Sequence, residues 1–279
     1  MVKLFQQGKL MYPEQIEFDE AEIKILEAQQ HMIFFRTKFN FLNTHNSIRK
    51  NKLHLAIAPT GAGKSTFVRS MLCDLVFKNK DKKFLLVLTE ETKQEFLEEF
   101  SATVPPHEVL SNIRIVSELD STYSDLEMKE TIEQSIDLYK IDMLIIDNIT
   151  TSKFYMDKTT TEQAKVAMWY KSLSQKTSTF LIAHTNGSEF NNRLLNENDI
   201  RGSKTITNIT QFLYVIQPIH IGDTLMQFVN VIKHRGINLK GGRFFKLNYS
   251  AELKSFDQDA KINFDGIKGF FDERNKLGK

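Results

Sequence analysis

One cysteine in 279 residues, Cys73, leaves no internal disulfide framework and suits a reducing compartment. No apolar run is long enough to cross a bilayer. The opening MVKLFQQGKLMYPE lacks the apolar block of a secretory signal, so a cytoplasmic protein with no membrane partner is expected. Charge of one sign is missing too. With 37 basic and 35 acidic residues the net charge is +2, which excludes coating nucleic acid by bulk charge and confines any such contact to a local patch. Repeats and low-complexity tracts are absent. What the chain does have is 41% hydrophobic content and 22 scattered phenylalanines, enough to fill one sizeable core.

From residue 53 onward, apolar β-rich runs alternate with helical patterns. The runs 53–57, 84–88 (FLLVL), 113–116, 143–146 and 179–183 (TFLIA) read as strands. Helices are expected over 66–77, 95–100, 125–139 and 162–176, with Leu126, Ile132, Ile136 and Leu138 as the apolar positions of the third. Continuous apolar strands alternating with helices imply an α/β fold built on a mainly parallel sheet covered on both faces. After residue 205, QFLYVIQ, LMQFVNVIKH and RFFKLNY, with glycines 222, 236, 241 and 242 between them, predict antiparallel strands at the C-terminal edge. The expected division is a helical appendage over 1–50, a core over 51–254 and a tail over 255–279. Charged and apolar residues at helical spacing over 14–36 fit a helix that packs on its own core or on a neighbouring subunit. Phe264, Ile267, Phe270 and Phe271 give the tail three readings: a docking peptide for a polymerase or primase, a surface helix, or a frayed end.

APTGAGKS carries the most specific chemistry. Ala58 stands at the first-glycine position of a phosphate loop, and Gly61, Gly63, Lys64 and Ser65 fit the rest, with Ala62 and Thr66 completing the turn. Small residues let successive backbone N–H groups converge on a phosphate, and the helix N-terminus behind them adds positive potential. Lys64 would neutralise the outer phosphates and Ser65 would hold Mg²⁺. The expected ligands are therefore ATP and Mg²⁺. Asp147 ends the apolar strand LIID, where a carboxylate can orient the metal through its water shell.

Glu90 and Glu91 follow FLLVL. A carboxylate there can polarise an attacking water, and Glu90, nearer the strand, is the better placed; equally, both acids can simply cap the next helix. His184 closes another apolar strand, as a γ-phosphate contact or as an ordinary structural histidine. Arg201, Gly202, Ser203 and Lys204 offer cations, a hydroxyl and free backbone to a phosphodiester chain, or form a solvated loop. Lys233 and Arg235 open a run to Lys246 with five basic residues and no acid, and they point at DNA or at a nucleotide on a neighbouring copy.

Taken in this order, GAGKSTFVR, the Glu pair, LIID, the strand-end His, DIRGS and K-H-R resemble the DnaB-like ring-shaped replicative DNA helicases with a RecA-type core. The likeness is strongest to the helicase half of phage primase-helicases and to Twinkle, and it covers roughly residues 50–254. It implies a RecA-like P-loop NTPase core and ATP-driven travel along single-stranded DNA by a homo-oligomer, a hexameric ring. Glu90 is implied as the catalytic base, and His184 as the γ-phosphate sensor. The loop 201–204 is implied to be the single-strand grip, and Lys233 with Arg235 to reach the neighbour's ATP, Arg235 as the finger. Asn208 departs from the family, standing where its pattern has a glutamine. A RecA-like recombinase or mediator filament, and a nucleotide-gated loader without unwinding activity, are the other two functions these motifs allow.

Overall fold

The computed structural model describes residues 4–6, 9–11, 35–43, 48–101, 110–186, 193–221, 224–235 and 243–262. The chain divides into two compact units, residues 1–32 and 33–279. In the first, β1 (Leu4–Gln6) pairs antiparallel with β2 (Lys9–Met11), Leu4 opposite Met11. The helix expected over 14–36 lies outside the described residues except at Phe35 and Arg36, which are not helical.

The second unit is one nine-stranded sheet. Its strands are β3 (Leu53–Ala58), β4 (Phe84–Leu88), β5 (Ile113–Ser117), β6 (Met143–Asp147), β7 (Ser178–His184), β8 (Phe212–Ile221), β9 (Thr224–His234), β10 (Arg243–Ser250) and β11 (Ser255–Ile262). They lie in the order β11-β10-β9-β8-β3-β7-β6-β4-β5. The stretch from β8 to β5 is parallel, and beyond β8 the strands β9, β10 and β11 follow, each antiparallel to the one before. Every residue of β3, β4, β6 and β7 is buried, which is why these strands read as unbroken apolar runs.

Helices cover both faces. One face packs α2 (Lys64–Lys78) and α3 (Lys93–Ser101) through Phe67, Met71, Leu75, Phe96 and Phe100. The other packs α4 (Asp125–Tyr139), α5 (Thr160–Lys176) and α6 (Thr205–Ile209) through Ile132, Ile136, Tyr170, Leu173 and Ile206. Helices α4 and α5 begin in full capping boxes, Ser124 with Glu127 and Thr159 with Glu162, each satisfying two otherwise orphaned N–H groups. On α4 the buried stripe is Met128, Ile132 and Ile136. Leu126 and Leu138, expected inside, face outward because they fall off that stripe.

The core also reaches past residues 51–254. Phe35, Phe39, Phe41, Leu42 and Ile48, with the short α1 (Asn40–Asn43), join the cluster around α2. A buried Phe contributes about 1.5–3 kcal/mol, so this stretch is an integral part of the core. Beyond Lys254 the chain forms β11, the edge strand. There Phe256 is buried, its N–H donating to Ser70 Oγ at 2.8 Å, and Asp257 pairs with Lys38 at 2.8 Å. The apolar residues 264–271 lie outside the described residues.

Candidate functional site

The parallel strands β3, β4, β6 and β7 deliver their last residues to one sheet edge, so Ala58, Glu90, Asp147 and His184 converge there although far apart in sequence. The turn from β3 to α2 needs two left-handed residues, Gly61 and Gly63, both at φ 76°. Open space surrounds the place a Gly61 side chain would occupy. A Cβ on Gly63 would meet the Phe256 ring at 3.0 Å. Lys64 opens α2, largely buried, and its Nζ donates to the Pro59 carbonyl at 2.9 Å. Burial lowers its ammonium pKa, while the Asp147 and Glu90 carboxylates oppose that fall.

Asp147 is 5% exposed, and nothing donates to its Oδ1. Burial pushes its carboxyl up to about 7 against the pull of the Ser65 hydroxyl and Lys64. An orphaned buried carboxylate oxygen beside the first hydroxyl of a phosphate-loop helix is what a divalent cation would satisfy. Ser65 and Asp147 therefore fit Mg²⁺.

The two glutamates part company. Glu90 Oε1 lies 3.0 Å from His184 Nε2; that hydrogen bond chiefly holds the carboxyl below its ordinary range, with Asn148 and Lys64 helping against burial. Glu91 turns back to α2, where its Oε2 accepts from Arg69 Nη2 at 2.7 Å. Glu90 is thus an ionised acceptor facing the phosphate loop, and Glu91 is a structural ion pair. His184 Nδ1 lies 3.2 Å from Thr60 Oγ1, so the imidazole bridges phosphate loop and Glu90, with Nε2–H directed at the carboxylate.

Asn148 went unnoticed in the sequence. It is fully buried, its Nδ2 lies 3.1 Å from His184 Nε2, and its Oδ1 accepts from the backbone and hydroxyls of Thr150 and Thr151. The one signal was a polar residue directly after the strand-end Asp. Tyr155, Gln163 and Glu118 went unnoticed as well. Glu118 accepts from Ser152 Oγ at 2.7 Å and from the Lys153 N–H at 2.9 Å, anchoring the segment after Asn148.

The loop 201–204 is tied to the end of β7. Arg201 N donates to His184 O at 2.9 Å, Thr185 bridges Ile200, and Asn186 N donates to Asp199 O at 2.7 Å. Arg201, Gly202 and Lys204 are exposed. Ser203 is buried, its N–H directed at both the Tyr155 hydroxyl and Gln163 Oε1, 2.9 Å from each. Gly202, at φ 96°, cannot carry a side chain, because a Cβ would lie 2.6 Å from the Tyr155 ring.

Lys233 and Arg235 are placed elsewhere. Phe212 pairs with His54 near the start of β3 and with His234 at the end of β9, and Arg235 N donates to Gln211 O. Arg235 therefore lies level with the first residue of β3, across Gln211 and β8, whereas the phosphate loop follows the last residue of β3. At about 3.3 Å per strand residue, roughly 15 Å of sheet separates them. Lys233 Nζ donates to the carbonyls of Thr207 and Asn208, at 2.9 and 3.0 Å, and Lys52 and Lys171 complete a cationic edge. The structure thus gathers Lys64, Ser65, Glu90, Asp147 and His184 at one end of the sheet, and leaves Lys233 and Arg235 at the other.

No family profile matches the chain, and no curated protein sequence does. Among solved structures it is similar to a KaiC-like protein from the hyperthermophilic archaeon Pyrococcus horikoshii OT3. The TM-score is 0.59 at 14% identity, covering 76% of this chain and 91% of the other. The likeness is one of fold, of the RecA type: a mainly parallel sheet flanked by helices, with antiparallel strands at the C-terminal edge. Among the described residues, no helix is long and apolar enough to cross a membrane.

Proposed function

We propose that this protein is an ATP-driven translocase of the DnaB-like helicase type, working on single-stranded DNA as a homo-oligomeric ring in the cytoplasm. The observation that carries this reading is the join between the two loops. The imidazole that spans Thr60 and Glu90 belongs to the same residue whose carbonyl holds Arg201 N. Whatever moves His184 on binding or losing a γ-phosphate moves the exposed cations Arg201 and Lys204. A simple phosphotransferase has no use for that connection.

In this reading Lys64 and the phosphate-loop N–H groups hold the nucleotide, and Glu90 accepts a proton from the attacking water while His184 keeps it ionised and aimed. Bound at Ser65 and Asp147, Mg²⁺ would supply charge neutralisation on the phosphates. The placement of Arg235 supports assembly. Its edge of the sheet is remote from its own phosphate loop, so an arginine finger there serves a neighbour's nucleotide, and hydrolysis depends on assembly.

The test is strand displacement on duplexes with 5′ or 3′ single-stranded tails, run beside ATPase assays with and without single strands. The reading expects ATP-dependent displacement with one tail polarity and stimulated turnover. Single-strand binding without stimulation or displacement would favour a loader, and an open filament under the microscope a recombinase.

A further inference from the structure

The cationic edge holds two different kinds of residue. Arg235 is exposed, whereas Lys233 is committed: both carbonyls it reaches belong to the last turn of α6, the five-residue helix directly behind the Arg201–Lys204 loop. The last backbone bond of that helix runs from Thr210 N to Ile206 O. The next N–H in the series, that of Gln211, turns away to Leu53 O. Lys233 thus supplies donors to carbonyls that the helix leaves open.

The other end of α6 is fixed as well, through the Ser203 N–H directed at Tyr155 and Gln163. A helix this short has little cooperativity of its own, so its position is set by these two attachments. One leads to the segment after Asp147, beside this chain's nucleotide site. The other leads to the strand end that carries Arg235. A bulge at Ile232, between the pairs Leu213–Lys233 and Tyr214–Val231, sets the register that brings Lys233 onto the α6 side of the sheet.

We propose that Lys233 is a positioning residue that ties the Arg235 strand end to α6, so that engagement of Arg235 with a neighbour's nucleotide is felt by the Arg201–Lys204 loop. This rests on the function proposed above. It departs from the expectation that Lys233 itself reaches the neighbour's phosphates: an ammonium held by two carbonyls and partly desolvated is a strut. Each loop then has two inputs, its own γ-phosphate through His184 and the neighbour's through Lys233.

The test compares wild type, Lys233→Met, Lys233→Arg and Arg235→Ala in the assembled protein. Hydrogen exchange at residues 205–210 is followed with and without a non-hydrolysable ATP analogue, alongside oligonucleotide affinity in the analogue and ADP states. Wild type is expected to gain protection over 208–210 with analogue. Lys233→Met and Arg235→Ala should both lose that gain and bring the two oligonucleotide affinities together, and Lys233→Arg should restore part of each. Analogue affinity in Lys233→Met should stay within about threefold of wild type, because no phosphate contact is removed.

A loss of analogue affinity of about tenfold or more would make Lys233 a phosphate ligand and overturn the proposal. Protection lowered equally in both nucleotide states would reduce it to a static cap, and no nucleotide-dependent protection in wild type would also defeat it. If wild type binds no single strand, the proposed function fails, while the exchange comparison still decides the role of Lys233.

Discussion

The two edges of the parallel sheet are built from opposite materials. At the edge where β3 ends, charges of both signs meet: Lys64 and Asp147 are buried, each shifted first by desolvation and then by its charged neighbours, while the more exposed Glu90 is held low chiefly by His184. At the edge where β3 begins, cations gather with little opposing charge, and burial and mutual repulsion lower the pKa of Lys171 and Lys233. The first edge can hold a phosphate but offers only one buried cation to the charge that builds during transfer. The second gathers cations away from the phosphate loop. In the proposed assembly each edge would supply half of a site.

The sharpest way to break this comparison is to separate the halves. Arg235→Ala should lower turnover by about 10³- to 10⁵-fold if it acts as a finger, and Lys64→Ala should abolish nucleotide binding or turnover. Mixed, the two inactive variants should regain part of the activity, since some interfaces then join an intact phosphate loop to an intact Arg235. No recovery at any ratio would mean that the edges never meet across a subunit boundary.

Within the first edge, Glu90→Gln should retain nucleotide and reduce hydrolysis by about 10²- to 10⁴-fold. Glu91→Gln should instead cost roughly 1–3 kcal/mol of stability through the Arg69 pair, read by denaturant melting, with turnover little changed. The reverse outcome would exchange their roles.

The smallest expected effect distinguishes the edges by pH. Near the second edge His54 is fully buried, stacked on Phe212 at 4.6 Å, and burial pushes its imidazole from 6.5 down to about 3. The unfolded chain binds that proton more readily, so His54 makes stability rise with pH between about 3 and 6.5. Asp147 acts oppositely: raised from 3.8 to about 7, it makes stability fall as pH rises through that window. Where the windows overlap the two slopes offset each other. Asp147→Asn should expose the rising slope and His54→Phe the falling one in denaturant titrations without nucleotide. Parallel profiles for both variants would show that neither group titrates as its burial implies.

Much of this was legible because the physics is local. A strand buried on both faces must be apolar throughout, so β3, β4, β6 and β7 could be read directly, and the phosphate loop needs small residues at fixed spacing. Glu91, expected at the start of the helix that follows it, instead pairs with Arg69 on α2, a contact that depends on how the two helices pack. What could not be read depends on register across the sheet. That Phe39 and Phe256 join one core, that Lys233 meets α6, and that Arg235 lies level with the start of β3 all follow from strand order and a bulge. Asn148 shows a third kind of opacity: a buried amide whose worth lies in four donors and a histidine gathered around it, none of which marks the residue itself.

Phe256 gives the phosphate loop a dependence on time. Its ring rests where a Gly63 side chain would stand, yet nearly two hundred residues separate the two, and β11 is the last strand of the sheet to leave the ribosome. A nascent chain that has reached Lys254 already contains every residue expected to touch phosphate, but lacks the ring that packs beside Gly63. Tight nucleotide capture then waits for β11, and a chain cut before residue 255 should bind poorly with its whole motif intact.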